Sequence, residues 1–128
     1  MIYGIGTDLI DVDRVAKQTG GDTRFKEKIF SAREIAYCES FNVNKAQHYA
    51  ARYAAKEAFF KAIGTGYRGG LAFHEISIEN EELGKPSIVL SGKALEYADQ
   101  HAFGKIYVSL SHLAEYASAV VIIECEKK

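Results

Sequence analysis

The chain has 128 residues, 48% of them hydrophobic and 26% charged, the balance of a soluble globular protein with enough length for one well-filled core. Its formal net charge of −1 argues against a dedicated nucleic-acid binder, although a local basic patch is compatible with it. Cys38 and Cys125 show no CxxC or metal-ligand spacing, no apolar run approaches the roughly 18 residues that span a bilayer, and Asp8 falls where a secretion signal needs apolar side chains, so a reduced, cytoplasmic protein with no membrane partner is expected.

The chain reads as one domain over residues 1–128, with a single proline, Pro86, and no low-complexity linker. Met1 to Ile10 is a buried strand interrupted by Gly4 and Gly6, a pattern that marks a bulge or a close approach by another backbone or a ligand. Asp8 lies two residues beyond the second glycine, where a buried carboxylate needs a partner. Asp11 can cap a short helix to about Gln18, ended by Gly20-Gly21. From Arg14 to Lys28 five basic residues face two acids, and Phe25 is interleaved; Arg14, Arg24 and Lys28 with Phe25 suit a docking face for an acidic partner. Ser31 and Glu34 have capping-box spacing at the start of a helix reaching about Ser40.

A longer helix then runs from about Ala46 to Ile63, about five turns. In it Ala51, Ala54, Ala55, Ala58 and Ala62 form one nearly smooth face, Glu57 and Lys61 share another, and Arg52 and Lys56 lie on a third. Gly64-Thr65-Gly66 ends it, and TGYRGG reads as a flexible turn. His74 to Glu79 and Ser87 to Leu90 form a hairpin about the turn at Glu82 to Pro86. Ser91 can cap a helix with Leu95, Ala98 and Ala102 as its buried stripe, stopped by Gly104. Strands Ile106 to Leu110 and Ala117 to Ile123 flank a turn on Ser111-His112-Leu113. The sum is an α+β fold with an antiparallel β-sheet packed against a long helix.

Three polar groups sit at the ends of apolar elements: Asp8, the Glu57/Lys61 pair, and Ser111-His112. Taken alone, Glu57 and Lys61 also fit an ordinary i,i+4 ion pair. Two carboxylates that converge with few other ligands suit Mg²⁺, which takes oxygen ligands and keeps water and substrate phosphate in its shell. A lysine one turn away can neutralise the phosphate charge left uncovered. Spacing does not show that Asp8 meets Glu57.

GIGTDLIDVDR, FSAREIAYC, RYAAKEAFFKAIGTG, the GKP turn and SLSHLAEYASAVVIIE, in that order, resemble the short bacterial type of 4′-phosphopantetheinyl transferase, the holo-acyl-carrier-protein synthases. The resemblance covers essentially the whole chain. It implies transfer of the phosphopantetheine arm of coenzyme A to a serine of an apo acyl carrier protein, leaving adenosine 3′,5′-bisphosphate, in support of fatty acid biosynthesis. By motif match, Asp8 and Glu57 hold Mg²⁺ and Lys61 contacts the transferred phosphate. Glu57 or a metal-bound water takes the serine proton. Arg52, Lys56, Gly64, Pro86, Ser111 and His112 fall around the coenzyme A, and Arg14 with the segment to Lys28 receives the carrier. The family forms trimers with active sites between subunits. Tyr107 and the stretch from Phe41 to His48 depart from the family pattern. A metal-dependent nucleotide phosphohydrolase and a non-catalytic coenzyme A-binding module are the alternatives, and both leave the basic segment unexplained.

Overall fold

The computed structural model describes residues 1–64 and 70–126. Its elements run β1 (Ile2–Asp11), α1 (Val12–Thr19), α2 (Thr23–Ile29), α3 (Ala32–Glu39), α4 (Lys45–Ile63), β2 (Ile76–Asn80), β3 (Pro86–Leu90), α5 (Gly92–Gln100), β4 (Phe103–His112) and β5 (Tyr116–Cys125), with a 3₁₀ turn over Phe73–Glu75 before β2. The α+β class holds, and α4 lies across an antiparallel sheet as expected. The strands form two sheets, however: β1-β5-β4, and a separate hairpin β2-β3.

Apolar β5 is central, which follows from the run AVVIIE having no polar face to give to water. Ala117, Ala119, Val121 and Ile123 point from β5 toward α4 and are buried, whereas Val120 and Tyr116 point away and are exposed. On the same outer face, Ile5 and Leu9 of β1 and Tyr107 of β4 are also exposed. The sheet thus has one face in the core and an opposite face, uncovered in the single chain, where Ile5, Leu9, Tyr107 and Val120 are interleaved with Thr7, Ser109 and Ser111.

The contact between α4 and the sheet depends on missing side chains. All five alanines of the smooth face are buried. A Cβ added to Gly4 would come within 1.9 Å of the Ala62 carbonyl oxygen, and one added to Gly6 within 1.9 Å of that of Ala58. Helix and strand backbones therefore touch directly, the close approach that glycines inside a strand permit.

Local sequence set several boundaries. Asp11 accepts hydrogen bonds from the Asp13 and Arg14 amides and caps α1, and Ser31 and Glu34 form the reciprocal capping box of α3. Other expectations are corrected. The basic segment holds a helix of its own, α2, because the Asp22 side chain accepts from the Arg24 amide and starts it. The buried stripe of α5 is Ala94 and Ala98, with Leu95 exposed; the helix ends before Gly104, which belongs to β4. Strand β4 runs through His112, so the turn falls later, closed by the Leu113 amide donating to the Tyr116 carbonyl. The expected turn from Thr65 to Gly69 lies outside the described residues.

The two sheets are joined through a buried ion pair. Lys56 Nζ of α4 donates to Glu34 Oε1 of α3 at 2.7 Å and to the carbonyls of Phe73 and Ile76, while Glu34 Oε2 accepts from the Ile78 amide at 2.8 Å. Both side chains are fully buried. Each charge is matched by a partner and further hydrogen bonds, the condition for carrying an ion pair inside a core.

Candidate active site

Because Gly4 and Gly6 let α4 lie against β1, the next inward-facing residue of β1, Asp8, meets the side of α4 that carries Glu57 and Lys61. Lys61 Nζ donates to Asp8 Oδ1 at 2.8 Å. The i,i+4 pairing of Lys61 with Glu57 is not what forms; the lysine reaches across to the strand. Glu57 is part of the same cluster: burial raises its pKa above the ordinary glutamate value, the negative charge of Asp8 raises it further, and Lys61 and Arg14 act in the opposite sense. The Lys61 ammonium is in turn held protonated to higher pH, first by its hydrogen bond to Asp8 and then by that carboxylate's charge.

The second oxygen of Asp8, Oδ2, is buried with no hydrogen-bond partner. A buried carboxylate oxygen left unpaired is costly, and an added cation would satisfy it. Among the described residues no group of three or more His, Cys, Asp or Glu side chains gathers at one point. The donor set is therefore two carboxylates, which fits a hard divalent ion completing its shell with water and substrate phosphate, and does not fit an all-protein cage.

A separate cavity of about 430 Å³ opens on the other flank of α4, lined by Tyr37, His48, Arg52, Asn80, Pro86 and His112 among others. Arg52 is its cationic wall. The guanidinium carbon lies 4.2 Å from the Tyr37 ring centroid, Nη2 donates to Asn80 Oδ1 at 2.6 Å, and Nε is buried without a partner. Asn80 also donates to the Gly84 carbonyl at 2.9 Å, fixing the guanidinium to the β2-β3 turn. His112 shares a hydrogen bond of 2.7 Å with Gln47, and its ring meets that of His48, itself stacked on Phe41 at 3.7 Å between centroids. Burial lowers the His48 pKa, and the positive charge of Arg52 lowers it further.

The expected coenzyme A residues separate into groups. Arg52, Pro86 and His112 line this cavity. Lys56 does not: it is consumed by the internal pair with Glu34, and burial pushes its pKa down, so its assignment to a ligand is corrected to a structural one. Ser111 pairs with Ser118 and so faces away from α4, on the side opposite to His112. Gly64 caps α4 with φ of 82°, its amide donating to the Phe60 and Lys61 carbonyls. On the expected docking face, Arg14 and Lys28 are exposed and take part in no ion pair among the described residues. Arg24 is held by Asp22 at 2.6 Å, and half-buried Phe25 packs edge-on against Phe30 and Tyr53, anchoring α2.

Sequence reasoning missed Tyr37, His48 and Asn80 as cavity residues. His48 sits in the stretch that departs from the family pattern, and Asn80, the last residue of β2, falls just past the strand expected from His74 to Glu79; only the meeting of α3, α4 and the hairpin gives them a shared role. Tyr107 is on the outer face of the sheet, donating to Glu124 Oε1.

Comparison with known proteins gives one answer. The family model of the 4′-phosphopantetheinyl transferase superfamily matches residues 4–121. The holo-[acyl-carrier-protein] synthase of Ruminiclostridium cellulolyticum is 50% identical over 120 residues, covering 93% of this chain and 90% of that protein. The crystal structure of the holo-[acyl-carrier-protein] synthase from Neisseria meningitidis superposes with a TM-score of 0.87 at 31% identity, over 97% of this chain and 99% of that one. That of the Bacillus anthracis synthase in complex with CoA (3′,5′-ADP) does so at 0.81 and 31%, over 98% and 99%. With the motifs in their expected places on the expected fold, the chain belongs to the 4′-phosphopantetheinyl transferase superfamily, among its holo-[acyl-carrier-protein] synthases.

Proposed function

We propose that this protein transfers 4′-phosphopantetheine from coenzyme A to a serine hydroxyl of an apo acyl carrier protein, in the cytoplasm and in support of fatty acid biosynthesis, with Mg²⁺ held by Asp8 and Glu57. The observation that carries this reading is the convergence of Asp8, Glu57 and Lys61, with one buried Asp8 oxygen left unpaired.

The seryl oxygen attacks the phosphorus that bears the pantetheine arm; the bond from that phosphorus to the bridging pyrophosphate oxygen breaks, and adenosine 3′,5′-bisphosphate leaves while the seryl proton is lost. Phosphoryl transfer of this kind is catalysed by positioning and charge neutralisation. Mg²⁺, when bound, supplies electrostatic stabilisation of the pyrophosphate. Lys61 adds a cation to the phosphoryl oxygens. Glu57 takes the seryl proton, directly or through a water it holds. Arg14, exposed on α1 and close enough for its charge to act on Glu57, joins the docking face for an acidic carrier to the reacting centre.

The protein acts as a homotrimer whose sites lie between subunits. Two features support this. Arg52 and Glu57 are five residues apart on α4, about 140° around the helix axis, so the cavity and the carboxylates occupy opposite flanks of one chain. The sheet also carries, on its uncovered face, the exposed side chains of Ile5, Leu9, Tyr107 and Val120, of the kind that closed symmetric assemblies bury.

The test is incubation of the protein with coenzyme A and an apo acyl carrier protein of its own organism, with and without Mg²⁺, followed by mass spectrometry of the carrier. A gain of one phosphopantetheine in the presence of Mg²⁺ is expected. An unmodified carrier, for every carrier of that organism, overturns the reading.

A further inference from the structure

Among the described residues, the cluster at Asp8 holds two carboxylates and one ammonium, that of Lys61, in ion-pair contact with Asp8. Lys61 Nζ is bonded to Asp8 Oδ1 at 2.8 Å, yet the lysine side chain is 55% exposed while that of Asp8 is only 12% exposed. The strand carboxylate is therefore a fixed, partly desolvated point, and the ammonium is at the end of a flexible stem with solvent around it. Asp8 Oδ2 lies next to the bonded oxygen, buried and without a donor. A cation drawn to Oδ2 by that deficit also meets the ammonium already seated on Oδ1, and like charges at such spacing repel.

We propose that Lys61 is a resident counter-ion of the metal-free site, which a divalent cation must displace from Asp8, so that metal entry frees the ammonium for the phosphate of coenzyme A. This rests on the assignment of Asp8 and Glu57 as metal ligands made above. It converts two requirements, metal occupancy and a lysine on the phosphate, into one event: the lysine stays on Asp8 until the ion arrives. Metal binding in the absence of coenzyme A is weakened by the competing ammonium. With coenzyme A present, the displaced lysine gains a new anionic partner and the penalty is offset.

The experiment is Mn²⁺ binding to the intact protein followed by calorimetry without coenzyme A, for the wild type and for Lys61→Met and Lys61→Gln, with circular dichroism to confirm that each variant is folded. An exposed ion pair is worth at most about a factor of five in an equilibrium. Both variants are therefore expected to bind Mn²⁺ up to about fivefold more tightly than the wild type, and to bind coenzyme A more weakly once Mn²⁺ is saturating. Mn²⁺ affinity that is unchanged or lower in the folded variants overturns the displacement while leaving the transferase reading intact. Failure of the wild type to bind Mn²⁺ even with coenzyme A present overturns the metal assignment, and the displacement with it; carrier modification, measured separately, decides the transferase reading.

Discussion

Gly6 and Ala58 are in backbone contact: the site a Cβ would occupy on Gly6 is 1.9 Å from the Ala58 carbonyl oxygen and 2.7 Å from the Ala62 amide nitrogen. The position of Asp8 depends on that contact, because Asp8 is the next residue of β1 on the same side of the sheet. Gly6→Ala must push strand and helix backbones apart, which no rotamer change can absorb. A loss of about 3 kcal/mol or more is expected, read as a lower denaturant midpoint. Gly20→Ala, where the added carbon would meet only the Ala16 carbonyl oxygen at 3.0 Å, is expected to cost far less.

Asp8→Asn and Glu57→Gln keep the shape of the cluster and remove its charge. Each is expected to lower turnover on the carrier by roughly 10²–10³ while leaving thermal stability near that of the wild type. Full turnover in either variant removes that residue from the reacting site.

The buried pair of Lys56 and Glu34 makes the opposite prediction. Lys56→Met leaves the Glu34 carboxylate buried without its cation, which costs about 3–5 kcal/mol and lowers the Tm by roughly 10–20 °C. Adding Glu34→Gln to Lys56→Met is expected to recover part of the loss. A Lys56→Met protein of wild-type stability with weakened coenzyme A binding contradicts the structural assignment.

Glu39 gives a pH dependence of stability. It accepts from Lys45 at 2.9 Å, Tyr49 at 2.7 Å and Lys26 at 3.1 Å, and these bonds, Lys45 foremost, push its pKa from 4.5 down to about 2. A carboxylate with a depressed folded-state pKa contributes stability that is complete above its unfolded value and disappears as the pH falls through the folded one. Denaturant midpoints are therefore expected to fall between about pH 5 and pH 2, and Glu39→Gln is expected to flatten that limb. A variant with the same acid limb as the wild type shows that other carboxylates dominate it.

The outer sheet face predicts assembly. Ile5→Asp, which adds a charge to a face already open to water in the single chain, is expected to leave the fold intact, reduce the sedimenting mass to that of one chain and abolish carrier modification. A protein that stays assembled with Ile5→Asp places the subunit contact elsewhere.

Arg14 is the position at which carrier docking is tested. Arg14→Glu is expected to raise the apparent KM for the carrier several-fold at low salt, with a smaller effect at high salt where surface charge is screened. An unchanged KM at low salt places the docking surface away from α1.

Much of this protein follows from its sequence. Caps at Asp11 and Ser31, the glycine stop at Gly64, the alternation from His74 to Glu79 and the apolar run of β5 are local, so spacing and composition located those helices and strands. The smooth alanine face and the glycines of β1 signalled a close backbone contact, since small residues at those positions permit little else. What the sequence could not decide were the partners brought together by distant elements. Lys61 is four residues from Glu57, yet its bond is to Asp8 on a strand, because the helix turns the lysine toward β1. Lys56, one residue before Glu57, is turned about 100° from it and disappears into the core against Glu34. Which of these lysines reaches Asp8 and which is buried against Glu34 is set by the angle at which α4 rests on the sheet, and only the tertiary structure determines that angle.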